Sequence, residues 1–184
     1  LTLNNSGDIF GYGAKGVGSD TLPNNAEAIA AGGGSITNTS TGRIIGSSLT
    51  ADAPNGDNTR AVNGILVDNS SGGNAVAATS VTNSGLIQGK TGFGIKIIGT
   101  FADTITNNSG GTIRGAGTGA GAAIQTGDGG DIINNAGTIT GDNGQAIDLG
   151  VGNDTLTVTG GSITGDIDGG TGTNTATFNP GAGN

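Results

Sequence analysis

One phrase, Asn-(Ser/Ala)-Gly-x-Ile-x-Gly, returns along this chain from Asn5 to Gly11, from Asn83 to Gly89 and from Asn135 to Gly141. Looser copies run from Asn38 to Gly46 and from Asn108 to Gly115. The central isoleucines of the later copies, Ile87, Ile113, Ile139 and Ile163, stand 26, 26 and 24 residues apart. A period of that size marks a stacked repeat: one unit is too small to bury its own apolar face and buries it on its neighbours instead. The expectation is a coiled ribbon of short strands, all-β, rather than a domain closed around a single core.

Composition points the same way. With 41 glycines in 184 residues and only 3% aromatic content, a sheet sandwich would be underfilled. A parallel solenoid needs only a few Ile, Val and Leu per repeat, stacked on the same residues above and below. Three sets of such anchors can be read off. The repeat phrase carries Ile9, Ile44, Ile87, Ile113, Ile139 and Ile163; a second strand carries Ile29, Ile65, Ile95, Ile124 and Ile147; a third carries Ile36, Val81, Ile105, Ile133 and Leu156. Alternation within them, as in Gly94 to Ile98 and Thr155 to Thr159, has the period of two that turns one face inward. Helix is disfavoured by the glycines and β-branched residues and by the lack of a 3.6-residue period. The anchors amount to about six coils with three short strands each, a rod on the order of 30 Å long at the usual strand spacing.

The rod is expected to occupy residues 1 to 178 as a single unit. Side-loop insertions rich in Ser, Asn, Asp, Gly and Pro are expected near residues 12 to 27 and 46 to 79, and residues 179 to 184 read as the start of a linker or of a different repeat type. The opening Leu1 to Asn5 resembles the strand that ends a repeat, by analogy with Asp103 to Asn108. The chain is therefore expected to continue beyond these residues, with any signal peptide or anchor elsewhere. No apolar run approaches the roughly 20 residues that span a bilayer.

A formal net charge of −8, with six basic residues scattered from Lys15 to Arg114, argues against a nucleic-acid or anionic-membrane partner, which needs clustered Lys and Arg. There is no Cys and no His, so Ser-His and Cys-His catalysis and thiolate metal sites are excluded within these residues. Carboxylate-pair glycoside hydrolysis stays open in principle. The five aromatics, Phe10, Tyr12, Phe93, Phe101 and Phe178, supply few sugar platforms, and the expectation is that the chain is not an enzyme.

The sharpest chemical motif is Gly-x-x-x-Asp-x-(Ile/Leu), which places Asp103, Asp131 and Asp154 at equivalent points of three repeats. Gly150 to Leu156 resembles part of the calcium-binding nonapeptide of repeat-in-toxin proteins. That motif needs near-consecutive nine-residue copies, whereas these aspartates are 28 and 23 residues apart. They are weak candidates for a cation such as calcium, and the simpler expectation is a solvated column of turn residues, with no cofactor. Asn5, Asn83, Asn108 and Asn135 are expected to form a structural amide ladder. Gly85 to Thr91 has the glycines and lysine of a phosphate loop at the wrong spacing and without a following helix. Thr104/Thr106, Thr138/Thr140 and Thr155/Thr157 suggest an ice-binding face, but they read as occupying non-equivalent positions, with Arg114 breaking one row.

The repeat phrase, together with Gly144 to Leu156 and Gly160 to Asn174, resembles the passenger region of bacterial autotransporter (type V secreted) proteins, over roughly residues 1 to 178. The resemblance implies a right-handed parallel β-helix, exported through the outer membrane of a Gram-negative bacterium and displayed on its surface or shed. It implies a stalk or adhesin segment, contacting a host or neighbouring cell surface, matrix or glycan and stacking on flanking coils of its own longer chain. The absence of Cys suits passage through a narrow pore. The alternatives are a polysaccharide-active β-helix enzyme and a cation-dependent or ice-binding adhesion module.

Overall fold

A computed structural model describes residues 1–12, 27–47, 62–115 and 121–179. The described residues form strands, turns and bends, with no helix among them. Every strand pairing among the described residues is parallel. Parallel neighbours cannot be joined by a hairpin, so the chain must travel away and return between them. It does so by visiting three ladders in rotation, an arrangement of stacked parallel sheets compatible with a solenoid.

The first ladder is a seven-stranded sheet in chain order: Thr2–Asn5, Gly34–Asn38, Thr79–Asn83, Thr104–Asn107, Ile132–Asn135, Thr155–Val158 and Thr175–Phe178. The second stacks Asp8–Tyr12, Arg43–Ser47, Leu86–Gly89 and Thr112–Gly115 on the first half of Thr138–Asp148. The third stacks Ile29–Ala31, Ile65–Val67, Ile95–Ile97 and Ile124–Gln125 on the second half of that same strand. Ser162–Asp168 pairs along both halves, with register shifts after Thr140 and after Gln145.

The continuity of Thr138–Asp148 departs from the expectation of separate strands at Ile139 and Ile147. Two glycines explain it. A Cβ on Gly141 would lie 1.8 Å from the Gln145 carbonyl oxygen, and Gly144 has φ +97°; the chain therefore turns the corner tightly enough to keep its ladder contacts. A small additional sheet, Asp128–Gly129 on Val151–Gly152, was not evident from the sequence.

Each ladder contributes one inward column, and all three sets of anchors are found in register. Ile36, Val81, Ile105, Ile133 and Leu156 align in the first. Ile44, Ile87, Ile113 and Ile139 align in the second, and Ile65, Ile95, Ile124 and Ile147 in the third. All of these are essentially inaccessible to solvent. Burial contributes about 1.5–3 kcal/mol for each such side chain, so the narrow core is held by many equal layers. Only the outermost layers open up: Ile9 and Ile163 are half-buried and Ile167 is exposed.

Of the expected insertions, residues 13–26 and 48–61 lie outside the described residues. The remainder of the second contains strand Ile65–Val67, followed by a turn in which the Asp68 carboxylate accepts from the amides of Ser70 and Gly72. Residues 180–184 also lie outside the described residues.

Candidate functional site

The Gly-x-x-x-Asp motif fixes a corner of the stack. Gly127, ahead of Asp131, and Gly150, ahead of Asp154, have φ of +88° and +76°, a left-handed conformation that turns the chain toward the seven-stranded sheet. The aspartate is the last residue before the strand begins, at Thr104, Ile132 and Thr155. The strand registers then place Thr79, Asp103, Asp131, Asp154 and Asn174 in one column, one per level.

This column is not solvated, contrary to the sequence expectation. Asp103, Asp131 and Asp154 are each at most 1% exposed. Their role in the backbone is plain from the hydrogen bonds. The Thr79 amide donates to Oδ1 of Asp103, the Asp103 amide to Oδ1 of Asp131 at 2.7 Å, and the Asp131 amide to Oδ1 of Asp154 at 2.8 Å. At the last level the Asp154 amide donates to Oδ1 of Asn174 at 2.8 Å. Each carboxylate thus caps an amide of the level before it, a donor that would otherwise be buried unpaired.

The second oxygen of each carboxylate has no such role. Oδ2 of Asp103, Asp131 and Asp154 is buried without a hydrogen-bond partner. For Asp131 and Asp103 burial is the main influence on protonation. It raises the Asp131 carboxyl from 3.8 to about 6, against the lowering effect of the Asp103 amide and the nearby Thr126 hydroxyl, while the charges of Asp103 and Asp154 add a smaller upward push. Burial likewise raises Asp103, opposed by the Thr79 amide. Asn174 shows what a neutral group does in the same column: its Oδ1 caps Asp154 and its Nδ2 donates to the Gly169 carbonyl. Among the described residues, no three His, Cys, Asp or Glu side chains gather closely enough to hold a metal ion; the aspartates are spread one per level rather than around a point.

A second polar column runs at the other end of the same strands. Nδ2 of Asn5 donates to Oδ1 of Asn38 at 2.9 Å, Asn38 to Asn83 at 2.8 Å, Asn83 to Asn107 at 2.9 Å and Asn107 to Asn135 at 2.8 Å. The expected ladder is therefore present, with two changes of membership. Asn107 replaces Asn108, which instead reaches Ser84 Oγ from the turn outside, and Asn38 joins. In these two repeats the turn is longer, so the amide bonds the carbonyl of Gly42 or Gly111, four residues on, rather than that of a glycine two residues on. Counting from the inward residue would have found them: each ladder Asn follows its Leu, Ile or Val by two positions, as in Ile36-Thr37-Asn38 and Ile105-Thr106-Asn107.

The threonine pairs are also placed differently from expectation. Thr104/Thr106 and Thr155/Thr157 do occupy equivalent positions, on the solvent side of the seven-stranded sheet. Thr138/Thr140 belongs to the second ladder, and Arg114 pairs with Thr140 there. Arg114 binds Asp142 at 2.7 Å on the surface, a pair worth at most about 1 kcal/mol. Leu86–Gly89 is a strand, which leaves no phosphate-cradling loop at Gly85 to Gly89.

Two open grooves follow corners near the C-terminal end. One, of about 430 Å³, is floored by Gly129, Gly152 and Gly172. The other, of about 530 Å³, is lined by Asn143, Gln145, Asp166 and Asp168, with Ile167 and no aromatic ring. No protein-family model, no curated protein and no solved structure matches this chain.

Proposed function

We propose that this chain is a structural stalk or adhesin segment of an autotransporter passenger, a right-handed parallel β-helix of about six coils with three short strands each. The single observation that carries the reading is the continuity of the interior. Three apolar columns and the asparagine ladder run from level to level in register, the construction of a rod whose length grows by adding repeats. The right hand follows from the strong preference for right-handed crossovers between parallel strands. A rod of this kind supplies reach and resistance to proteolysis without needing a pocket.

In this reading the segment is non-catalytic and stands on the outer surface of a Gram-negative bacterium or is released from it. Its contacts are with a host or neighbouring cell surface, matrix or glycan, and with flanking coils of the same chain. The enzyme alternative draws no support from the groove containing Asp166 and Asp168, which lacks an aromatic sugar platform. The test is surface display of the full-length parent protein, with and without residues 48 to 60. Protease-accessible rod on intact cells together with adhesion that falls on the deletion would support an adhesin with its contact in those residues. Adhesion unchanged by the deletion moves the contact elsewhere; a rod absent from the surface, or polysaccharide cleavage by the purified chain, overturns the reading.

A further inference from the structure

The seven-stranded sheet shows the solvent two straight rows of side chains. One row is Asn4, Thr37, Thr82, Thr106, Asn134, Thr157 and Thr177, aligned strand to strand. The parallel row, two residues earlier in each of these strands, is Ser or Thr at every level except Ile132. In a chain of net charge −8, none of the seven strands contains an Asp, Glu, Lys or Arg, and their one aromatic ring, Phe178, is exposed at the last level in register with Val158 rather than in either row. The other two ladders are charged, carrying Asp8, Arg43 and Arg114 in one and Lys96, Asp148 and Asp168 in the other.

We propose that this face is an ice-binding surface. Its hydroxyls repeat about every 4.8 Å along the stack and about every 6.7 Å along each strand, close to the oxygen repeats on the faces of hexagonal ice. Each hydroxyl offers one donor and two acceptors, so water held at one threonine is in step with water held at the next. The adjoining methyl groups and the lack of any charge keep ions and disordered hydration off the rows; the face is thus neutral and periodic, as the lattice is. Other occupants fit less well. A sugar surface calls for aromatic platforms, which these rows lack. A second copy would bury roughly 300 Å² on a face of about 30 by 10 Å, well short of the roughly 800 Å² per partner of a stable interface. The interruption at Ile132 and Asn134 leaves three levels with a hydroxyl in both rows on one side, preceded by Thr2 and Asn4, and two on the other. The inference depends only on this sheet and not on the adhesive reading.

Slow growth of an ice front through a solution of the intact chain tests it, with recrystallisation inhibition as a second readout. The chain should be enriched several-fold in the ice over the remaining liquid. Thr106→Lys and, separately, Thr157→Lys should abolish enrichment, whereas Thr164→Lys, on the neighbouring ladder, should preserve it. Melting curves identify any variant that fails to fold; Thr157→Lys then stands in for Thr106→Lys. Exclusion of the parent chain from ice overturns the proposal, as does equal loss in all three folded variants. A dimer that Thr106→Lys dissolves, without enrichment in ice, would assign the face to a second copy instead.

Discussion

The asparagine column and the aspartate column cross the same interior, on opposite ends of the same strands, yet they are satisfied to different degrees. An amide carries both donor and acceptor, so Asn38, Asn83 and Asn107 each accept from one level and donate to the next; Nδ2 of Asn83 serves Gly85 O, Asn107 Oδ1 and Thr112 O together. An ionised carboxylate only accepts. Its Oδ1 finds the amide of the level before, while its Oδ2 is buried without a hydrogen-bond partner. The lesson is that stacking rewards groups that can pass a hydrogen bond along the axis, and that burial favours the protonated form of the Asp131 and Asp103 carboxyls.

The comparison is broken most severely by converting an amide into an acid. Asn83→Asp removes the three bonds donated by Nδ2 and sets a buried charge against the carbonyl oxygens of Gly85 and Thr112. The expected loss is about 3–5 kcal/mol at neutral pH, read by chemical denaturation, and it should shrink on acidification. A loss below about 1 kcal/mol would mean that the ladder bears little of the stability.

The reverse exchange should act the other way. Asp131→Asn supplies a neutral group like that at Asn174 and is expected to stabilise the chain at pH 7–8 by about 1–3 kcal/mol. Destabilisation would show that the Asp131 carboxylate is satisfied by something other than the Asp103 amide.

The pH dependence of the parent follows from the same geometry. Asp131 has a folded-state value of about 6 against 3.8 when unfolded, so the folded chain holds a proton that the unfolded chain has released. That stabilisation is complete below about pH 3.8 and is lost as pH rises through about 6. Asp103, shifted in the same direction, adds to it. Melting should therefore be higher at pH 4 than at pH 8, and Asp131→Asn should flatten the slope. A parent that melts higher at pH 8 contradicts the account.

The smallest expected effect separates neighbours in sequence. Asn107→Ala should cost about 1–3 kcal/mol, since it removes one of the three acceptors of Asn83 Nδ2 and the Asn107 donor to Asn135 Oδ1. Asn108→Ala, which loses only the surface contact with Ser84, should cost no more than about 0.5 kcal/mol. Equal effects would return Asn108 to the ladder.

These contrasts also explain how much could be read in advance. The isoleucine columns were legible because alternation and a period near 26 residues both mark Ile87, Ile113 and Ile139. The ladder was legible where the turn is short, at Asn5, Asn83 and Asn135. It was misassigned at Asn108 because a longer turn shifts the glycine but not the strand. The aspartate positions were legible and their burial was not: Gly-x-x-x-Asp specifies a corner, but whether the carboxylate turns inward depends on the register of the level beneath it. The threonine rows needed the same information, since Thr106 and Thr140 look alike until Thr106 pairs with Asn134 and Thr140 with Arg114.

The central claim, that a carboxyl column lies inside the stack half-satisfied, is tested most directly at Asp131. Its carboxyl carbon, assigned by comparison with Asp131→Asn, can be followed by NMR from pH 3 to pH 8 in the folded chain. The account predicts a midpoint near 6, well above the ordinary 3.8. A midpoint at or below 3.8 would contradict it and return Asp131 to an ordinary solvated turn.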